Sequence, residues 1–197
     1  MNNNEYTNIN ATRRFRPKLS FYRANAKCTG GALKLELHPA HDDVDGSIMA
    51  TFAKQLTIGD RHKMPPVFAT FDWDNSICVK LDFNDLTKML EVFRGFKESL
   101  EDGKGLFHVS PAGTTKISLR HLVEREGCYS FDVYRSKSGS PESKSAHIML
   151  SANEAYGLAI AIEDSLGAIC FGIPEVIPRD TSNYKRRVKE MGNVPAA

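Results

Sequence analysis

The chain lacks closely spaced cysteines. Its four, Cys28, Cys78, Cys128 and Cys170, lie far apart, without the short spacing that a zinc site or a redox dithiol needs. Free thiols of this kind fit a reducing intracellular compartment, cytoplasm or nucleoid. Long apolar runs are also missing. The most apolar stretch, residues 155–173, carries Glu163 and Asp164 at its centre, which argues against a membrane span. The N-terminus has no apolar signal core and holds five asparagines in its first ten positions; organellar targeting stays open. Acid is absent between residues 6 and 35, although Arg13, Arg14, Arg16, Lys18, Arg23, Lys27 and Lys34 fall there. Tryptophan occurs once, as Trp73.

The 197 residues suffice for one domain with tails, or two small ones. An apolar share of 41% and a charged share of 25% are ordinary for a globular core, and a net charge of +2 does not by itself announce a polyanion partner. The distribution of charge says more. Besides the acid-free stretch 6–35, the C-terminal tail carries Lys185, Arg186, Arg187 and Lys189, while Asp42, Asp43 and Asp45 cluster between. Basic segments favour polyanions, and equally serve as solvated tails.

Alternation and capping divide the chain. Residues 1–16 read as a disordered basic arm, 17–173 as a single domain and 174–197 as a flexible basic tail. Strands are expected from Lys18, over 32–37 with Leu33, Leu35 and Leu37 on one face, over 47–54, over 67–73, and over 77–83 after a turn at Asp74-Asn75. A helix capped by Asn84 follows, with Asp85 in its first turn, a stripe of Leu86, Met89, Leu90 and Phe93, and Gly95 closing it. The second half repeats the plan. Strands are expected over 104–109, over 115–122 with Ile117 and Leu119 inward, around Tyr129, Phe131 and Val133, and over 144–150. Ser151 and Glu154 form a capping box for a long helix whose stripe is Ala155, Leu158, Ala159, Ile162, Leu166 and Ile169. Tyr156 and Ile160 lie off that stripe, as on a helix buried between subunits. Cys78 and Cys128 read as small apolar fillers within strands. The fold class is α+β: a duplicated β-β-β-β-α unit, two antiparallel sheets packed with two helices.

This order of elements resembles the Whirly family of single-stranded DNA-binding proteins. The likeness rests on the glycine-rich opening into an alternating strand (27–37), the Phe71-Asp72-Trp73 triplet, the Asn84-Asp85 helix start, the Phe107-His108 pair and the long helix from Ser151. It covers roughly residues 18–172. Of the family's Lys-Gly-Lys opening only Lys27 is matched. The resemblance implies homotetramers with helices at the centre and sheets radiating outward.

Single strands are held by cations along the backbone and rings under the bases. Candidates are Lys18, Tyr22, Arg23, Lys27, Lys34, Lys54, Trp73, Lys80, Lys116, Arg120, Tyr134 and Arg135. Tyr134 alternates against Tyr129, Phe131 and Val133 and should face outward; a lone tryptophan is more often a core residue. The rival signal is His38-Pro39-Ala40-His41-Asp42-Asp43-Val44-Asp45, with two histidines and three aspartates in eight residues. Pro39 prevents a helical histidine pair and no distant motif completes a metal site, so it reads as a polar loop. Thr29-Gly30-Gly31 and Gly103-Lys104-Gly105 lack phosphate-loop spacing, and no nucleophile elbow is present. The expectation is a non-enzymatic, cofactor-free binder of single-stranded DNA with low sequence preference, serving replication, recombination or repair. The alternatives are RNA binding or annealing on the same fold, an interaction module whose basic ends contact acidic proteins, and a metal-dependent hydrolase using His41 and Asp42.

Overall fold

A computed structural model describes residues 18–41, 43–111, 113–125 and 127–172. The expected arm at 1–16 and tail at 174–197 lie outside the described residues. The first half forms β1 (Lys18–Arg23), β2 (Gly31–His38), β3 (Ser47–Lys54), β4 (Ile77–Leu81) and α1 (Phe83–Phe93). The second forms β5 (Leu106–Ser110), β6 (Gly113–Leu122), β7 (Cys128–Lys137), β8 (Ser143–Leu150) and α2 (Ala152–Phe171). Each set of four strands makes its own antiparallel sheet in sequence order, β1-β2-β3-β4 and β5-β6-β7-β8.

Period-two alternation makes one face of each sheet apolar. Leu33, Leu35, Ile48, Ala50, Phe52, Ile77, Val79 and Leu81 line the inner face of the first sheet, and Ile117, Leu119, Phe131, Val133, Ile148 and Leu150 that of the second; all are buried. The inner faces meet at Phe52 and Phe131, whose rings stand edge to face at 4.9 Å. Each helix turns its predicted stripe to the core: Leu86, Met89 and Phe93 on α1 and Ala155, Leu158, Ala159, Ile162 and Ile169 on α2 are buried, and Leu90 and Leu166 pack against them half-buried. Tyr156 and Ile160 stay exposed on this chain's surface.

Three local expectations are corrected. Residues 67–73 do not form a sheet strand. They make only isolated bridges, Gln55 with Phe71 and Asp60 with Val67. The alternation there is real, but β4 already occupies the free edge of β3 through pairs from Ile48–Leu81 to Phe52–Ile77. Residues 55–73 therefore fold back on themselves as an arm, and the expected hairpin at 74–75 is a turn closed by Ser76 N–H donating to the Trp73 carbonyl at 3.3 Å. The cap of α1 is Asp82, not Asn84. Its carboxylate accepts the Asp85 N–H at 2.9 Å while Asp85 Oδ2 accepts the Asp82 N–H at 3.3 Å, a reciprocal box that starts the helix earlier than Asn84 would. Cys78 is exposed rather than filling the core, because it shares the outward parity of Lys80 while Ile77 and Val79 point inward.

The polar loop after β2 has a structural task. Ala40 N–H and Gly46 N–H donate to the Ala168 and Ile169 carbonyls at 3.0 and 3.2 Å, tying the loop to the last turn of α2. A Cβ at Gly46 would sit 2.6 Å from Ile169 Cα, so this contact requires glycine.

Candidate nucleic-acid interface

The outer faces follow from the same alternation. On the second sheet, strand register sets Phe107 opposite Lys116, Lys116 opposite Tyr134 and Tyr134 opposite Ser145. Phe107 is 57% and Tyr134 47% exposed, and Lys116 Nζ lies 5.5 Å from the Phe107 ring centroid. That is a cation–π distance, which holds the ammonium beside the ring rather than free in solvent. The result is a cross-strand row of ring, cation, ring. Two residues along each strand, Ser118, Asp132 and His147 form the next row. His147 Nδ1 and Asp132 Oδ1 are 2.7 Å apart, and Ser130 Oγ donates to Asp132 Oδ2 at 2.5 Å. Burial pushes the Asp132 carboxyl upward, but the hydrogen bonds from His147 and Ser130 outweigh it and its pKa lies below the ordinary 3.8. The Asp132 hydrogen bond raises His147 above 6.5.

The first sheet achieves its rings differently. Tyr22 projects outward from β1 and meets Phe71 at 5.4 Å and Trp73 at 6.4 Å, both from the arm. Lys34 Nζ sits 5.8 Å from the Trp73 ring and 3.7 Å from Glu36 Oε1. Ala32 and Ala53 have outward parity yet are each only 1% exposed, so the arm covers part of this face. Arm and β1 border an open pocket of about 1010 Å³ lined by Tyr22, Asn25, Arg61, Phe68, Phe71 and Trp73.

Between the two sheets lies a cleft of about 450 Å³. Its wall on the first sheet is the turn Cys28-Thr29-Gly30, with Lys54 and Gln55; its other wall includes Lys116, Tyr134 and His147. Gln55 pins that turn: its amide oxygen accepts the Asn25 and Gly30 N–H groups at 2.8 and 3.2 Å, and its nitrogen donates to the Asn25 carbonyl at 3.0 Å.

The sequence candidates thus separate. Lys34, Trp73 and Tyr22 come together, as do Lys116 and Tyr134; Lys54 stands at the cleft between them. Lys18, Lys80 and Arg120 are exposed on outward-facing positions, and Lys27 is exposed in the β1–β2 turn. Arg23 and Arg135 have inward parity and structural partners. Arg23 pairs with Glu154 of the α2 capping box. Arg135 donates to Thr115 Oγ1 at 2.8 Å and to the Cys78 carbonyl of β4 at 2.6 Å, tying one sheet to the other. Sequence reasoning missed Phe71, Phe107 and His147 as interface residues. Phe107 carried a readable signal, since it alternates against Leu106 and His108 beside a lysine strand; the placement of His147 depends on β7–β8 register and had none.

Solved structures share this fold. WHY1 from Arabidopsis thaliana superposes with a TM-score of 0.63 at 14% identity, over 93% of this chain and 97% of that one. The fold is Whirly-like. The plant transcriptional regulator PBF-2 has the same Whirly-like course, with a TM-score of 0.60 at 15% identity over 91% and 97%. A guide-RNA-binding protein complex bound to a gRNA matches with 0.51 at 14% identity over 78% and 91%. No protein-family model and no curated protein matches the chain by sequence, so the Whirly-like likeness is one of backbone. Among the described residues no three His, Cys, Asp or Glu side chains gather to hold a metal, and no helix is long and apolar enough to cross a membrane. Asp42 of the polar loop lies outside the described residues.

Proposed function

We propose that this protein binds single-stranded nucleic acid on its outer sheet faces, DNA first, with little sequence preference and without catalysis. The observation that carries the reading is the Phe107–Lys116–Tyr134 row, whose ring–cation–ring order suits a strand with its bases on the rings and its phosphates on the ammonium. The Tyr22–Phe71–Trp73 cluster with Lys34 is a second platform. Rings accept any base, which accounts for low specificity; cations account for strong salt dependence. Replication, recombination or repair is the setting for such a binder, and the exposed Tyr156 and Ile160 on α2 support assembly of a homotetramer through the helices. The free thiols support a reducing compartment.

RNA is the second reading, favoured by the backbone likeness to the guide-RNA-binding complex. Anisotropy titration of a labelled mixed-sequence DNA strand at low salt tests the first reading; absence of binding removes it. Competition by an equal-length RNA decides between the two, because only RNA offers 2′-hydroxyls.

A further inference from the structure

The cleft between the sheets has a use that neither ring platform supplies. Gly31 opens β2 so close to β8 that a Cβ there would lie 2.0 Å from the His147 carbonyl oxygen. That contact fixes the β1–β2 turn against the second sheet and sets Lys54, from the end of β3, across the cleft from Lys116 and His147. His147 is oriented: its Nδ1 is taken by Asp132, and its Nε2 has no hydrogen-bond partner among the described residues. Both oxygens of Asp132 are occupied, by His147 and Ser130.

Resting on the proposed function above, we infer that this cleft is a backbone-phosphate site, in which Lys54 and the Nε2–H of His147 grip one phosphate of the bound strand. A phosphate oxygen needs donors and positive charge, and the cleft holds both at the point where a strand passes from the Tyr22–Trp73 platform to the Phe107–Tyr134 row. The proton on His147 acts twice. It makes the imidazole a donor on both nitrogens, and it neutralises Asp132, which would otherwise repel the phosphate. The groups that face His147 are Asp132 and Tyr134 from β7, Lys116 and Arg120 from β6, and Lys54 and Cys28 across the cleft. Glu124 and Arg125 lie further along the same surface. Of these only Asp132 touches the ring, and it holds the proton on to higher pH than an ordinary histidine would. Binding is therefore tight below that raised value and weakens as pH rises through it.

The test is a pH series of anisotropy titrations with one labelled mixed-sequence DNA strand and the full chain. Between about pH 6 and about pH 8.5 the wild type should lose roughly tenfold in affinity, the most that removing one charge-assisted contact and exposing one repelling charge should cost. The log-affinity against log-salt slope should become shallower by about 0.7 over the same range, the share of one phosphate contact. His147→Gln, an exposed position, should be weak and flat across pH. Asp132→Asn should bind better than wild type at the alkaline end. If His147→Gln follows the wild-type profile at every pH and salt, the phosphate site is wrong while single-strand binding stands. If wild type binds at no pH, single-strand binding itself is wrong, and the site falls with it.

Discussion

The two sheets share a strand order and differ in what they offer. The second presents its rings from the strands themselves: Phe107, Lys116 and Tyr134 stand in register, and no carboxylate pairs with Lys116 among the described residues. The first borrows Phe71 and Trp73 from an arm that also buries Ala32 and Ala53, and its Lys34 is shared between Trp73 and Glu36. A duplicated backbone therefore does not mean a duplicated surface. Cross-strand register makes a platform from the strands alone, whereas the first sheet needs an arm to complete its own, with an open pocket beside it. The second sheet should dominate binding and the first support it.

The largest expected effect breaks what the sheets have in common. Phe52→Ala or Phe131→Ala removes one ring of the pair that joins them and should cost about 3–5 kcal/mol of stability, read by chemical denaturation. Next comes the row on the second sheet. Lys116→Ala with Tyr134→Ala should weaken single-strand binding by roughly 100-fold, since stacking alone contributes about 1–3 kcal/mol per base. Trp73→Ala on the first sheet should cost less, about tenfold, because its ring is half-buried and its neighbours partly covered. If Trp73→Ala weakens binding more than the double variant does, the ranking of the sheets is reversed. Lys80→Ala or Arg120→Ala should each cost only about two- to threefold, with the salt slope reduced by about 0.7.

The smallest effect is on stability against pH. His147, raised above 6.5, contributes stability that is complete below that ordinary value and lost as pH rises through the raised one. Asp132, lowered below 3.8, contributes stability that is complete above 3.8 and lost as pH falls through the lowered one. The gap in melting temperature between wild type and His147→Gln should thus be widest between those two ordinary values and close at both extremes.

Much of this was legible because alternation and capping are local. Leu33, Leu35, Ile117, Leu119, Phe131 and Val133 point inward as their parity demands, Tyr134 points outward, and Ser151 with Glu154 starts α2. What was not legible depends on distant partners. Residues 67–73 carry strand-like alternation, and only the occupancy of the β3 edge by β4 denies them a sheet. Arg23 and Arg135 looked like other surface cations, until packing gave one Glu154 and the other a β4 carbonyl. Asp82 and Asn84 are both good caps, and the choice turned on Asp85 completing the box with Asp82. Cys78 shares its face with Lys80, so its own parity makes it exposed.

The most direct measurement is a titration of the full chain, wild type and Lys116→Ala/Tyr134→Ala side by side, against one labelled single strand at low and at high salt. The wild type should bind tightly with an affinity that fades steeply with salt, and the double variant should lose most of that binding at low salt with its fold intact by circular dichroism. Equal affinity in the two proteins, or no binding by either, would contradict it.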